Sequence, residues 1–493
     1  MRIYNSLSRQ VEEFVPLFAP KIGMYTCGPT VYRYAHIGNF RTYILGDLLL
    51  RVMRANGYDI NYVMNITDVG HLTGDNLGDA DAGDDRMEEA AKKERRSAYD
   101  VAKFYTQQFL ADFDRLNLIR PTVMPKATEH ISEQITLIQK LETNGFVYRT
   151  SDGMYFDTAK WPRYGELSTL GEIQAGARVE VNRQKKNPKD FALWKFSPAV
   201  GRREMEWDSP WGIGFPGWHI ECSAMSMKYL GESFDVHLGA EDLRSTHHPN
   251  EIAQSEAATR KPFVKYWVHG AFLLVDGGRM SKSLGNNYAV TDLAEKGFSP
   301  MGLRYLYLTV HYRSQQNFTW SALAAAETAW DKLNGFVQEV KSKKQEARSQ
   351  LSREKLRKLD GYRKRFEQAI NDDLQFPQGL AVMWEMLKSN IPDYDKADTL
   401  LDWDQILGLK LGVSDEVPVP QEVREMAAQR EELRRKGKFV EADEVRVKME
   451  KLGWKVEELR GVRINGSISI RKTFCNEVRG ETCNERNPQA GYR

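Results

Sequence analysis

Cysteine is scarce in this chain, with four in 493 residues, too few for the disulfide framework on which small secreted proteins depend. No apolar stretch near Met1 has the make-up of a signal peptide, and a reducing cytoplasm is the expected compartment. Nowhere do about 18 to 20 apolar residues run together, so no helical membrane span is expected. Charge of one sign is lacking too: 70 Lys and Arg against 68 Asp and Glu leave a net charge of +2. Any surface for nucleic acid must then come from local clustering. What the chain does have is apolar residues, 41% of the total, enough at this length to fill several cores.

Two short motifs carry the most information. Ala35-His36-Ile37-Gly38-Asn39 stands between a strand-like run, 21–27, and a helical pattern. The run ends at Gly28-Pro29; in the helix Ile44, Leu45, Leu48, Leu49, Val52 and Met53 recur up to a stop at Asn56-Gly57. At such a junction the free amides and dipole of the first helical turn attract phosphate, and Gly38 leaves room for an adenine ring or ribose to approach the backbone. Far downstream, after a Gly-Gly turn, Arg279-Met280-Ser281-Lys282-Ser283 places a lysine and two hydroxyls on a loop. Either peptide alone is commonplace. In this order and context the pair can clamp a triphosphate, with His36 and Lys282 as the expected catalytic groups.

These motifs resemble the HIGH and KMSKS signatures of class I aminoacyl-tRNA synthetases. Asn39 stands in place of the final His and Arg279 in place of the first Lys, so a hydrogen-bonding side chain and a cation are kept. Cysteine placement sharpens the resemblance. Cys27 ends the strand before the first motif, and Cys222 falls in Trp218-His219-Ile220-Glu221-Cys222. Further on, His247 and Glu251 are four apart, hence on one face if the stretch is helical. Two thiolates, an imidazole and a carboxylate make a complete set for zinc. A blander account also stands on the residues alone, because free cysteines are often small buried hydrophobes and a His-His pair is often helix surface. The four positions fall where cysteinyl-tRNA synthetases carry their zinc ligands. The stretches 26–32, 64–69, 190–195 and 311–314 are similar to that family as well, and the likeness runs from Met1 to about Leu459.

The resemblance implies a cysteine-tRNA ligase. ATP with Mg2+ would convert cysteine to cysteinyl-adenylate, and the terminal adenosine of tRNA(Cys) would then displace AMP. It implies one zinc ion per subunit, held by Cys27, Cys222, His247 and Glu251. Zinc suits the task, because an apolar pocket separates cysteine from isosteric serine only by roughly a hundredfold, whereas a metal prefers a thiolate to an alcohol. No stretch looks like an editing domain. Thr30, His36, Gly38, Asn39, Asp242 and Lys282 would contact ATP, with Asp242 on the ribose, and Thr67 and Trp218 would contact the substrate cysteine. A core role for Trp218 is the alternative. His269 is a candidate floor residue, while His219 and His237 read as core histidines.

The expected fold is α/β. A Rossmann-type parallel-sheet catalytic domain would span 1–320 with an insertion around 120–200. A helical bundle (321–410) and an anticodon-binding helical region (411–460) would follow, with a tail, 461–493, of unknown role that carries Cys475 and Cys483. Phe439, Ala442, Val445, Met449 and Leu452 mark one expected helix face. Arg430, Arg434, Arg435, Lys436, Lys438, Arg446, Lys448 and Lys451 stud the same region, as solvated surface or, in a tRNA ligase, as phosphate contacts. The acidic stretch 75–85 lacks calcium-loop spacing, since Gly83 is fifth and not sixth counting from Asp79. A monomer is expected. Two other readings remain at this point: a ligase joining cysteine to an amino sugar, and a non-catalytic tRNA-binding paralogue.

Overall fold

Four parallel strands form the central sheet. In order they are Val264–Gly270, Phe234–Ala240, Lys21–Thr26 and Asp59–Met64. Their side chains are buried along most of their length, as strands covered on both faces must be. The computed structural model describes residues 1–70, 85–168, 184–198, 203–280, 285–343, 351–413, 421–452, 454–457 and 469–472. Lys282, all but the last residue of the acidic stretch, and both tail cysteines lie outside these residues.

The helix after the first strand runs Ile37–Ala55 and stops at Asn56, as its apolar spacing requires. It is anchored along its length. The buried Arg41 guanidinium donates to the carbonyls of Ala271, Phe272 and Ser314. Asp47, near its middle, accepts from Ile119 N at 2.8 Å, from Arg51 Nε at 2.7 Å, and from the fully buried Arg304. Arg304 also donates to Leu407 O at 2.7 Å, at the end of helix Asp393–Leu407. Buried ion pairs are costly to break, so this bolt fixes the helix that carries the first motif against the later helices.

Between the second and third strands in sequence the chain makes a separate antiparallel sheet, of Val147–Arg149, Gly153–Phe156, Phe191–Phe196 and Gly214–Pro216. Leu137, Phe156, Leu193 and Trp194 are among its core residues. Helices Trp320–Ser342, Arg353–Asn371, Phe376–Leu387 and Asp393–Leu407 follow these sheets in sequence. By internal packing the chain makes two units, Met1–Ala289 with Pro300–Gly412, and Val290–Ser299 with Val413–Arg493.

In the second unit, helices Gln421–Arg435 and Phe439–Lys451 pack together through Val423, Ala427, Val445 and Met449. Strands Trp454–Glu457 and Ser469–Lys472 pair antiparallel after them. Two expectations change here. Phe439 and Leu452, read with Ala442, Val445 and Met449 as one helix face, are 60% and 48% exposed, while Ala442, Val445 and Met449 are buried. Arg430, read among the surface cations, is buried. Among the described residues no helix is long and apolar enough to cross a membrane.

Candidate active site

Because the central strands are parallel, their carboxyl ends lie along one edge, the usual place for a ligand crevice in such a sheet. The expected site residues follow those ends. Cys27 comes after Thr26, Thr67 after Met64, and Asp242 after Ala240, on the short turn Glu241–Arg244. Asp242 is exposed, Thr30 is half-buried, and Thr67 is buried. Thr30 is bridged to Thr67, and Gly28 N donates to Asn65 Oδ1 at 2.8 Å. A Cβ on Gly28 would stand 1.6 Å from Asn65 O, so glycine is required for this close approach.

His36 caps the helix Ile37–Ala55. Its Nδ1 accepts from Asn39 N at 3.1 Å, and the Asn39 side chain accepts from His36 N at 3.1 Å. This reciprocal capping box gives Asn39, the departure from the HIGH letters, a local role in shaping the mouth of the helix. Since Nδ1 accepts, the neutral ring carries its proton on Nε2. Burial and the nearby Arg33 charge bring His36 down to about 4, so near pH 7 it is a neutral donor. An NMR titration of His36 should give a midpoint near 4, and one near the ordinary 6.5 would contradict this environment. The unfolded chain takes up that proton first, so this group's contribution to stability declines as pH falls from 6.5 toward 4.

The two motifs meet. Ile37 N donates to Tyr288 O at 2.8 Å, and His36 bridges Ala289. A Cβ on Gly38 would stand 2.2 Å from the terminal methyl of Met280. The space over Gly38, expected to receive a nucleotide, is here filled by the methionine of the second motif.

Cys27, Cys222, His247 and Glu251 also meet. One ligand atom from each lies within 4.8 Å of all the others. They come from a strand end, the second turn of helix Trp218–Leu230, and the start of helix His248–Thr259 with its preceding residue. Cys222, His247 and Glu251 are buried, and Cys27 is half-buried. A second, overlapping set, Cys27, His237, His248 and Glu251, is equally close. The first set, with two thiols, has the softer donors.

The electrostatics suit a cation. His247 Nε2 lies 3.0 Å from Glu251 Oε1. Burial opposes the charge on His247, but Glu251 and Cys222 raise it to about 10. Burial likewise opposes ionisation of Glu251, yet His237 and His247 hold it down to about 2. The hydrogen bond from Cys27 brings Cys222 down to about 7, while burial raises Cys27. Protons are thus held among converging donor atoms, which is the load a metal displaces on binding.

Sequence reasoning read His219 and His237 as core and His269 as a floor residue, but did not tie them to the four converging side chains. His219 Nδ1 lies 2.8 Å from His247 Nδ1, and His237 Nε2 lies 3.0 Å from the second oxygen of Glu251. His248 spans from Cys27 Sγ, at 3.4 Å, to His269 Nε2, at 2.8 Å. All are buried, so the core reading of His219 and His237 holds, with the addition that each supports one of the converging side chains. His269 binds Ser6 Oγ at 2.8 Å and lies behind His248. Trp218, the first residue of its helix, places its half-buried ring 4.4 Å from that of His247. Thr67 Oγ1 donates to the buried Glu221 at 3.1 Å.

A parallel sheet with this insertion, a capped histidine at the first helix mouth and Met280 of the second motif against Gly38 together suit a class I aminoacyl-tRNA synthetase. The family model for the class I (C) tRNA synthetase catalytic domain matches residues 13–328. Cysteine–tRNA ligase 1 of Burkholderia lata is 45% identical over 473 residues, covering 94% of this chain and 97% of the relative. The Treponema denticola cysteine–tRNA ligase is 40% identical, covering 94% and 98%. A Mycobacterium tuberculosis methionyl-tRNA synthetase solved with methionyl-adenylate superposes with a TM-score of 0.55 at 14% identity, over 80% of this chain and 88% of that one; this likeness concerns the fold alone. The chain belongs to the cysteine–tRNA ligase family.

Proposed function

We infer that the protein activates cysteine with ATP and transfers it to tRNA(Cys), releasing AMP and diphosphate. Identity to cysteine–tRNA ligases over 94% of the chain carries this reading. That span includes C-terminal sequence for which a ligase acting on a free amino sugar has no evident use. In ATP–pyrophosphate exchange across the common amino acids, cysteine alone should support turnover. Exchange with serine at a comparable rate would contradict the reading. The cytoplasm and a monomeric state complete the proposal.

We assign the metal to Cys27, Cys222, His247 and Glu251, and the metal to zinc, on the convergence of four donor atoms that include two sulfurs. When bound, zinc would supply selectivity, since it favours the substrate's thiolate over the alcohol of serine. The chain's own residues do the rest. His219 and His237 hold the imidazole and carboxylate in place. Trp218, packed on His247, walls the substrate side, and Thr67, locked to Glu221, presents a fixed hydroxyl nearby. Asp242 would contact the ribose and Thr30 the nucleotide.

For adenylate formation, attack of the substrate carboxylate on the α-phosphorus needs charge stabilisation and no protein nucleophile. His36 offers a neutral Nε2–H from a rigid cap, the helix mouth offers amides, and Met280 must leave Gly38 before a nucleotide can lie there. Lys282 would add a positive charge. Lys282→Ala should slow adenylate formation roughly a hundredfold, with cysteine affinity almost unchanged. Pre-steady-state measurement at normal speed would remove Lys282 from the clamp.

The helical hairpin around 421–451 is proposed for the anticodon end of tRNA. Arg435, Lys436, Lys438, Arg446 and Lys448 are exposed on it, and Phe439 stands uncovered beside its turn. Cations for phosphates next to a bare aromatic ring suit unpaired bases.

A further inference from the structure

Helix Ala98–Arg115 runs past the mouth of the helix that His36 caps. Its Phe109 stacks on Phe40 at 5.7 Å and meets Tyr43 at 5.2 Å. A little over one turn earlier, Phe104 and Tyr105 meet Tyr34 at 6.3 and 5.2 Å. Tyr34 stands two residues before His36, within about 7 Å of it along the chain. Phe109, Phe40 and Tyr43 are buried, as packing between helices requires. Tyr34, Phe104 and Tyr105 are only half-buried, although they continue the same row of rings toward the first motif.

Guanidinium groups accompany these part-open rings. Arg96 lies 4.9 Å from the centre of the Phe104 ring, and Arg33 and Arg86 lie 5.1 and 5.8 Å from that of Tyr32, itself half-buried. Arg96 is exposed, and its contact with Glu94, at 3.7 Å, is a loose surface pair. Such pairs hold a charge weakly, so a phosphate can take it up. Aromatic rings beside guanidinium groups are the chemistry that holds unpaired nucleotides, with bases stacked on the rings and phosphates met by the arginines. The place in the fold selects which nucleotides. The terminal adenosine of tRNA has to reach an adenylate formed at His36, and the unpaired 3′ end that carries it presents base faces, which a duplex does not.

We propose that Tyr34 and Phe104, with Arg96, form a stacking platform for the unpaired 3′ end of tRNA and steer its terminal adenosine to the adenylate. Stacking tolerates any base, so the platform holds the strand without reading its sequence. This inference rests on the reading of the protein as a tRNA ligase.

Phe104→Leu in the full-length protein removes one stacking face, and Phe104→Tyr keeps it. Equilibrium binding is measured with intact tRNA(Cys) and with the same tRNA trimmed of its unpaired 3′ nucleotides; transfer from preformed adenylate is followed in single turnovers. Phe104→Leu should weaken binding of intact tRNA about tenfold and slow transfer by a similar factor at limiting tRNA, while Phe104→Tyr stays close to the parent. Trimmed tRNA has no base to stack there and should bind the parent and both variants equally. Arg96→Gln should make the salt dependence less steep for intact tRNA alone. Equal weakening for intact and trimmed tRNA, or no weakening for either, would overturn the proposal, since a ring that merely supports the fold behaves in one of these ways. A raised KM for ATP in the pyrophosphate exchange of Phe104→Leu, a reaction that needs no tRNA, would overturn it as well by giving the ring to the first step. A parent protein that neither binds nor charges tRNA(Cys) would instead refute the ligase reading itself.

Discussion

Replacing Cys222 by alanine is expected to abolish stoichiometric zinc and to lower cysteine activation by on the order of a thousandfold. The parent should carry about one zinc per chain, as a closed four-donor set does. Loss of one of two thiolates leaves Cys27, His247 and Glu251, a poorer and less charge-balanced set. Metal Lewis-acid terms are worth several kcal/mol, and each 1.4 kcal/mol is a factor of ten in rate. The fold should survive, because the change removes one sulfur from a buried position at a cost on the order of 1 kcal/mol. Metal analysis and pyrophosphate exchange on the folded variant check this. A variant that keeps full activity without zinc would end the metal account of substrate choice.

Ending the chain at Gly412 is expected to separate the two steps. Leu409 O accepts from Trp330 Nε1 at 2.8 Å, Leu411 N donates to Asp404 at 2.8 Å, and Gly412 N donates to Asn334 at 2.7 Å. The cut therefore leaves these anchors in place while removing the basic hairpin and Phe439. Pyrophosphate exchange should stay within about threefold of the parent, while tRNA charging at limiting tRNA should fall on the order of a hundredfold or more. Residual tRNA binding should depend less steeply on salt, since fewer counterions are released when fewer phosphates are neutralised. Unimpaired charging would refute the anticodon assignment.

The helix at the first motif was legible in the sequence because periodicity and stop signals coincide: Ile44 through Met53 recur on one face, and the end at Asn56 is observed. The parallel sheet was legible for the same reason, since its strands are short apolar runs next to helical patterns. The convergence of Cys27, Cys222, His247 and Glu251 was not. Nothing in local spacing joins residues 27 and 222, and only the likeness to a family did so. The supporting histidines escaped because a second layer leaves no periodic mark; His237 and His269 sit in strands where any buried residue would fit the pattern. Phe439 misled for the opposite reason. Steps of three from Phe439 to Ala442 and Val445 look periodic, yet each falls about 60° short of a full turn, so Phe439 lies off the face that Val445 and Met449 bury. The filling of Gly38 by Met280 joins segments some 240 residues apart, a contact that only the folded chain discloses.

The most direct measurement is aminoacylation of purified tRNA(Cys) by the full-length, zinc-containing protein, with ATP and either cysteine or serine at equal concentration. The account predicts cysteinyl-tRNA with AMP formed in step, and no detectable seryl-tRNA. Failure to charge tRNA, with cysteine passed instead to an amino sugar, or charging with serine at a similar rate, would contradict it.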